Sequence, residues 1–488
     1  MALVLAIDQG TTNSKALLLD GAGAIVARAG TPVGVSYPRP GWVEQSGADI
    51  WRSVVDVAVR VAAAADGQSI AAIGISNQRE SVLIWDRRTG TPIGPCITWQ
   101  CRRSAERIGA LRSPAFERQV AATTGLGLDP LFPAAKLGWL LDAYPEARQL
   151  AADGDLCAGT VDAWLVFNLT GGKVHATDFG NAARTQLFDI RAGRWSGELA
   201  DAFGVPLGVL PEPRASDGEF GVTAQASGLP AGIPIRAVMG DSHAALFGHG
   251  VRSPGAVKAT YGTGSSLMTL TAEPVASTHG LSTTIAWRRG SKTAFALEGN
   301  ITVSAQAAAW TAAFLGLGDA AALTELAKTV PDSGGAVFVP ALAGLGAPHW
   351  QDSAQAIFSG MSFGTTPAHL ARATFEAIAL QIRDVFVAME QDAGIRLDVL
   401  SVDGGATGND FLMQLQADVL DRPVERKTVT ELSAAGAAVM AGSAAGLWDD
   451  AGPEAIRTLR DRIMPGMEAA ARQKLLAGWS HALAQAML

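Results

Sequence analysis

Two segments about half a chain apart share one pattern: an apolar strand, a turn of Gly, Thr and Ser, and a second strand. The first runs from Leu3–Ile7 through Asp8-Gln9-Gly10-Thr11-Thr12-Asn13-Ser14-Lys15 into Ala16–Leu19. The second runs from Ala256–Tyr261 through Gly262-Thr263-Gly264-Ser265-Ser266 into Leu267–Leu270. A unit that occurs twice predicts a duplicated protein with a cleft between its halves. Gly and Pro cluster at Gly248–Pro254. The boundary is therefore expected there, giving domains 1–247 and 248–488, and 488 residues suit two domains.

The intervening elements fit an α/β layer architecture. Asp20-Gly21 starts a turn before a third strand, Ala24–Arg28, and a helix is predicted over Asp49–Ala65 with Trp51, Val54, Val55 and Ala58 on one face. Ile70–Ile75, Ile233–Val238 and Leu397–Val402 read as short buried strands. Pro367 suits a first helical position, and Ile378, Ile382, Val385 and Met389 keep a 3–4 spacing up to Gly394. Asn409 is placed to cap a helix carrying Leu412, Leu415 and Val419, ending before Pro423. Ala434–Ala445 is rich in Ala and Gly, as expected where a helix packs closely on a neighbour.

Composition excludes some functions. A net charge of −8 argues against general binding to nucleic acid or anionic membranes, which reward positive fields. Cys96, Cys101 and Cys157 form an odd set without metal spacing, as in a reducing cytoplasm. There is no basic leader before Leu3 and no apolar run of membrane-spanning length, so a cytoplasmic location is expected.

Several residues suit chemistry, each with a plainer alternative. In the first turn, Gly10 permits close backbone approach, and the Thr11, Thr12 and Ser14 hydroxyls can surround phosphate oxygens. Asp8, at a strand end, is placed for Mg²⁺ through water. The alternative is an ordinary polar hairpin. The second turn strengthens the phosphate reading, since two such turns can grip a polyphosphate from opposite walls. Neither a Walker A sequence nor a dinucleotide fingerprint is present. Asp403 to Asn409 forms a third Gly-rich turn, either a tight βα loop or a place where a purine or ribose approaches the backbone. Arg79-Glu80 follows a strand, where α/β proteins bind ligands. The pair either forms a surface salt bridge or binds vicinal hydroxyls. Trp99 is either core or a polyol-stacking face. Asp241 lies at a strand-to-helix turn, as general base toward a hydroxyl or as a helix N-cap. His243 is expected to be structural or solvent-facing.

Together these segments resemble the FGGY carbohydrate kinases, and among them most closely the glycerol kinases. The resemblance is carried in order by Asp8–Lys15, Pro40-Gly41-Trp42-Val43-Glu44-Gln45, Asn77–Glu80, Trp99-Gln100, Gly240-Asp241, Thr260–Gly264, Gly344-Leu345-Gly346-Ala347-Pro348, Ala356–Glu376 and Asp403–Asn409. It implies two ribonuclease-H-like domains of the actin/hexokinase type flanking a catalytic cleft, with ATP and Mg²⁺ as cofactors. It implies Asp241 as general base, Asp8 organising the metal, and Thr11, Thr12, Asn13, Lys15, Thr263 and Gly264 at phosphates. Gly405 and Asn409 would lie at the adenine nucleoside, and Arg79, Glu80 and Trp99 would hold a small polyol or sugar. A homodimer or tetramer is compatible with the resemblance.

The chain also departs from the glycerol kinases. Leu131 stands where they have Tyr, Ser242 where Gln follows the base, and Ser266 where Phe follows the second turn. Lys15 replaces Arg, Cys101 replaces Asp, and Ala305 and Ala309 align with the Gly and Gln that approach the nucleotide. The departures concentrate at the acceptor and leave room for a C4–C5 polyol or a ketopentose. A non-catalytic sugar-binding relative and an actin-like ATPase are the rivals. Asp8, Asp241 and the two turns speak against the first, and Arg79-Glu80 with Trp99 against the second.

Overall fold

The computed structural model describes residues 2–488. Its first sheet has five strands in the order Ile235–Gly240, Ile70–Asn77, Leu3–Gln9, Asn13–Leu19, Ile25–Pro32. Leu3–Gln9 pairs antiparallel with Asn13–Leu19, which pairs antiparallel with Ile25–Pro32. On its other side Leu3–Gln9 runs parallel to Ile70–Asn77, and that strand parallel to Ile235–Gly240. The second sheet repeats this plan. Ala256–Tyr261 pairs antiparallel with Ser265–Thr271, which pairs antiparallel with Lys292–Ile301; parallel strands Val399–Asp403 and Val424–Lys427 follow on the other side. Ser282–Arg289 and Leu459–Ile463 extend its two edges. The duplicated hairpin is thus the centre of a duplicated sheet.

Val4, Leu5, Ala6 and Ile7 are all fully buried, because helices cover both faces of the first sheet. Alternate side chains divide between two cores. Leu3, Leu5 and Ile7 meet the helix Gly47–Ala62, while Val4 and Ala6 meet Asp241–Gly248 and Leu432–Ala444. The last helix comes from the other half of the chain and joins the halves. Its closeness rests on glycine. A Cβ on Gly436 would sit 1.8 Å from the Ala244 carbonyl oxygen, and one on Gly74 would sit 2.2 Å from that of Ala437. The Ala/Gly-rich segment is therefore the contact between halves.

Some local expectations shift. The helix starting at Gly47 is capped by Ser46, whose hydroxyl accepts from the Asp49 amide, and its buried stripe is Ile50, Val54, Val57, Ala58 and Val61. Trp51 and Val55 flank that stripe rather than form it, because the i, i+4, i+7, i+11 series from Ile50 points at the sheet. The first three strands reach Gln9, Asn13 and Pro32, further into the turns than the apolar runs suggested. A four-stranded sheet of Glu44–Gln45, Cys96–Ile97, Val82–Asp86 and Leu156–Thr160 was not foreseen; strands of two to five residues show little periodicity. Pro367–Ala393 is one helix ended by Gly394 at φ 63°, and Asp410–Leu420 is capped by the Asn409 side chain. No helix among the described residues is long and apolar enough to cross a membrane.

Candidate active site

The chemistry-bearing residues gather where parallel strands end, the usual ligand edge of such sheets. Asp8 is next to last in Leu3–Gln9, and the ladder sets Lys15 directly opposite it. Asp8 Oδ1 accepts from the Ser76 hydroxyl at 2.8 Å. Burial pushes the Asp8 carboxyl up to about 6; the Asp241 charge adds to this, while Ser76 and Lys15 oppose it. The turn is tight, with the Gly10 amide donating to the Asn13 carbonyl at 2.9 Å. Thr12, Asn13 and Lys15 are exposed and Thr11 partly so. Trp99, 38% exposed, is not core; its indole N–H donates to the Thr11 hydroxyl at 3.0 Å and ties the tryptophan to the first turn.

The second turn sits on the start of the helix Gln306–Phe314. The Ser304 amide donates to the Thr263 carbonyl at 2.9 Å and the Ala305 amide to that of Gly262 at 3.2 Å. Gly264 has to be glycine, since a Cβ there would lie 2.3 Å from the Ile301 carbonyl oxygen. Thr263 and Ala309 are exposed, Gly264 and Ala305 partly so. In the third turn, Gly404 carries the conformational demand, with φ 98° and a would-be Cβ 2.3 Å from the Tyr261 carbonyl oxygen. Around Gly405 the space is open. Asn409 Oδ1 accepts from the Leu412 amide and Nδ2 donates to the Thr324 hydroxyl at 2.9 Å, so both ends of its amide are engaged.

Of the two alternatives for Arg79-Glu80, the structure does not show the surface salt bridge. Both residues are buried, and each pairs elsewhere. Arg79 Nε donates to Asp241 Oδ1 at 3.2 Å, and its Nη1 and Nη2 donate to the Glu298 oxygens at 3.0 and 2.5 Å. Glu80 has φ 59°, a left-handed conformation that costs a non-glycine residue about 1–2 kcal/mol. It is held there from both ends: Arg184 Nε donates to Oε1 at 2.6 Å, and Lys136 Nζ donates to the carbonyl at 3.1 Å. Lys136 also donates to the Leu131 carbonyl at 2.5 Å, fixing the half-buried Leu131; burial pulls its ammonium down to about 7.

Asp241 is the first residue of its helix, and the N-cap is Gly240. A Cβ on Gly240 would lie 2.6 Å from Arg79 Cγ and Cδ, so glycine lets the arginine pass beneath the carboxylate. Asp241 Oδ1 also accepts from the Ser242 amide at 2.6 Å. Burial raises the carboxyl and Arg79 opposes this, yet 39% of the Asp241 side chain stays open. The carboxylate is thus covered on the arginine side and open on the other. Buried His243 lies under Arg79, and burial with the arginine's charge keeps its imidazole neutral; it does not face solvent. Ser242 and Ser266 face each other with hydroxyls 3.5 Å apart, and Ser266 donates to Glu298 Oε1 at 3.3 Å.

Sequence reasoning missed Glu298, Arg184, Lys136 and Ser76. Glu298 and Lys136 left a local signal, each a lone charge in an apolar run, Phe295-Ala296-Leu297-Glu298 and Pro133-Ala134-Ala135-Lys136-Leu137.

Comparison with known proteins agrees with this fold. Residues 3–248 match the N-terminal domain of the FGGY family of carbohydrate kinases, and residues 257–445 match its C-terminal domain. An apulose kinase of Pectobacterium atrosepticum is 48% identical over 92% of this chain and 90% of its own. A glycerol kinase of Symbiobacterium thermophilum is 45% identical over 99% of this chain and 98% of its own. The structure of the Plasmodium falciparum glycerol kinase with ADP superposes with a TM-score of 0.95 at 32% identity, over 100% of this chain and 99% of that one. The chain belongs to the FGGY family of carbohydrate kinases, phosphotransferases with an alcohol group as acceptor.

Proposed function

We propose that this kinase transfers the γ-phosphoryl group of ATP to a hydroxyl of a small polyol or ketose, with Asp241 as general base. The observation that carries this is the state of the Asp241 carboxylate. Its contacts with Arg79 and the Ser242 amide fall on Oδ1, leaving Oδ2 to accept the substrate proton. Burial raises its basicity, and Arg79 opposes this by favouring the charged form. The exposed Thr11, Thr12, Asn13 and Lys15 on one wall and Thr263 and Gly264 on the other would hold the phosphates. Open space at Gly405 suits a purine or ribose, with Asn409, Ala305 and Ala309 bordering it.

The donor set also fits Mg²⁺. Asp8 is a hard oxygen donor whose charge is incompletely balanced by Ser76 and Lys15. Among the described residues no group of three or more His, Cys, Asp or Glu side chains forms a cage, which suits an ion that keeps waters and leans on substrate phosphates. When bound, the ion offsets charge between the β- and γ-phosphates. Residues 1–247 and 248–488 would be the two domains that close on the substrates and exclude water in a cytoplasmic enzyme.

Arg79, Glu80 and Trp99 would hold the reacting end of the acceptor. Leu131, Ser242 and Ser266 leave room and two hydroxyls for a longer one, which favours a C4–C5 polyol or ketose over glycerol. The 48% identity to an apulose kinase supports that reading, and glycerol kinases at up to 47% support the alternative. A coupled ADP-release assay over C3 to C6 polyols and sugars tests it. A C4 or C5 compound should exceed glycerol in kcat/KM by at least about tenfold, about 1.4 kcal/mol of transition-state binding. Glycerol outperforming all of them restores the plain glycerol kinase reading. In the same assay Asp241→Asn should lower kcat by about 10²–10⁴-fold with little change in ATP affinity; near-normal turnover removes Asp241 from the mechanism.

A further inference from the structure

Glu298 lies in the strand Lys292–Ile301, in the C-terminal half, and its side chain is buried. Two guanidinium groups from the N-terminal half converge on it. Arg79 makes two bonds to it at 2.5 and 3.0 Å, and Arg184 Nη1 lies 2.8 Å from Oε2, an ion-pair contact without hydrogen-bond alignment. Burial alone would raise the Glu298 carboxyl; Arg184 and Arg79 overrule it and hold it well below the usual range.

Each arginine also touches a second carboxylate, and these are the two that face the acceptor: Arg79 holds Asp241 at 3.2 Å, and Arg184 holds Glu80 at 2.6 Å. Ser266, whose hydroxyl lies 3.5 Å from that of Ser242, donates to Glu298 as well. Without the Glu298 charge, the two buried guanidinium groups would keep only Asp241 and Glu80 as carboxylate partners. Arg79 would draw closer to Asp241 and occupy the base, and Arg184 would draw closer to Glu80 and occupy the hydroxyl ligand. Unpaired buried charge is costly enough to drive such rearrangement.

We propose that Glu298 is a positioning residue for the acceptor: reaching across from the C-terminal half, it balances Arg79 and Arg184 and fixes Ser266, so that Asp241 and Glu80 stay available. The acceptor site is then complete only with both halves in place. This rests on the reading of Asp241, Arg79 and Glu80 as the acceptor site.

The test uses the full-length protein and its Glu298→Gln and Glu298→Asp variants. KM and kcat are measured for ATP, for glycerol and for the best C4 or C5 acceptor, with thermal unfolding as the check on folding. Glu298→Gln keeps size and removes charge; its acceptor KM should rise at least about tenfold and kcat should fall, with ATP KM within about threefold of the parent. Glu298→Asp restores charge at shorter reach and should recover part of kcat. A folded Gln variant with acceptor kcat/KM within threefold of the parent overturns the proposal. So does a rise in acceptor and ATP KM by the same factor, which marks a general brace between halves, and so does an Asp variant no better than Gln. If the Gln variant does not fold, Arg184→Lys decides: it keeps the charge but cannot bridge Glu80 and Glu298, and unchanged acceptor KM overturns the proposal. Full turnover in Asp241→Asn would defeat the underlying acceptor reading instead, whatever Glu298 does.

Discussion

Replacing Asp8 by Asn keeps the side chain's size and an oxygen to accept from the Ser76 hydroxyl, while removing the charge. The native carboxyl is raised from 3.8 to about 6, chiefly by burial. A group whose folded pKa lies above its unfolded one favours the native state when protonated. That contribution is complete below about 3.8 and is lost as pH rises through about 6, above which the charged form is carried at a steady cost. A shift of about two pH units corresponds to at most about 3 kcal/mol. Partial exposure of the side chain brings the realised figure nearer 1–2 kcal/mol. Asp8→Asn should therefore be more stable than the parent by about that amount at pH 8, and equal to it at pH 4. The assay is denaturant unfolding at pH 4, 6 and 8 without ATP or divalent ions, alongside turnover at pH 8. Activity should collapse while stability rises, the pattern of a site that gives up stability for function. An Asn variant no more stable than the parent at pH 8, or an advantage that does not grow with pH, would refute the reasoning.

Three further outcomes follow from the same geometry. Since Asp8 retains its proton up to about 6, half-saturating Mg²⁺ should climb as pH falls below that value, and EDTA should abolish turnover; a requirement constant between pH 5 and 8 would sever Asp8 from the metal. Gly436→Ala drives a methyl to 1.8 Å from the Ala244 carbonyl oxygen and should destabilise the protein by about 2–4 kcal/mol, read as a lower denaturant midpoint; an unchanged midpoint would mean the helix contact between halves is loose. Ser266→Phe should erase most of the advantage of C4–C5 acceptors over glycerol, by about tenfold in the ratio of their kcat/KM values, and a ratio left unchanged would place the longer acceptor elsewhere.

What the sequence by itself determined is mostly local. Turns rich in Gly and Thr mark the two hairpins because their backbone demands are met within a few residues. Asn409 as a cap and Gly394 as a helix stop act over one turn of chain, and both are where they were expected. The repeat of the hairpin pointed to a duplicated chain, and the ordered motifs pointed to the family. Only the tertiary structure decided what Arg79 and Glu80 do. Their partners, Glu298 and Arg184, lie 219 and 104 positions away, and no local pattern records a pairing at that distance. The same holds for the Ala/Gly-rich helix, whose composition announced a close neighbour but not that the neighbour is the other half of the molecule. Charge pairing and backbone contact are set by proximity in space, which the chain acquires only once both sheets are assembled.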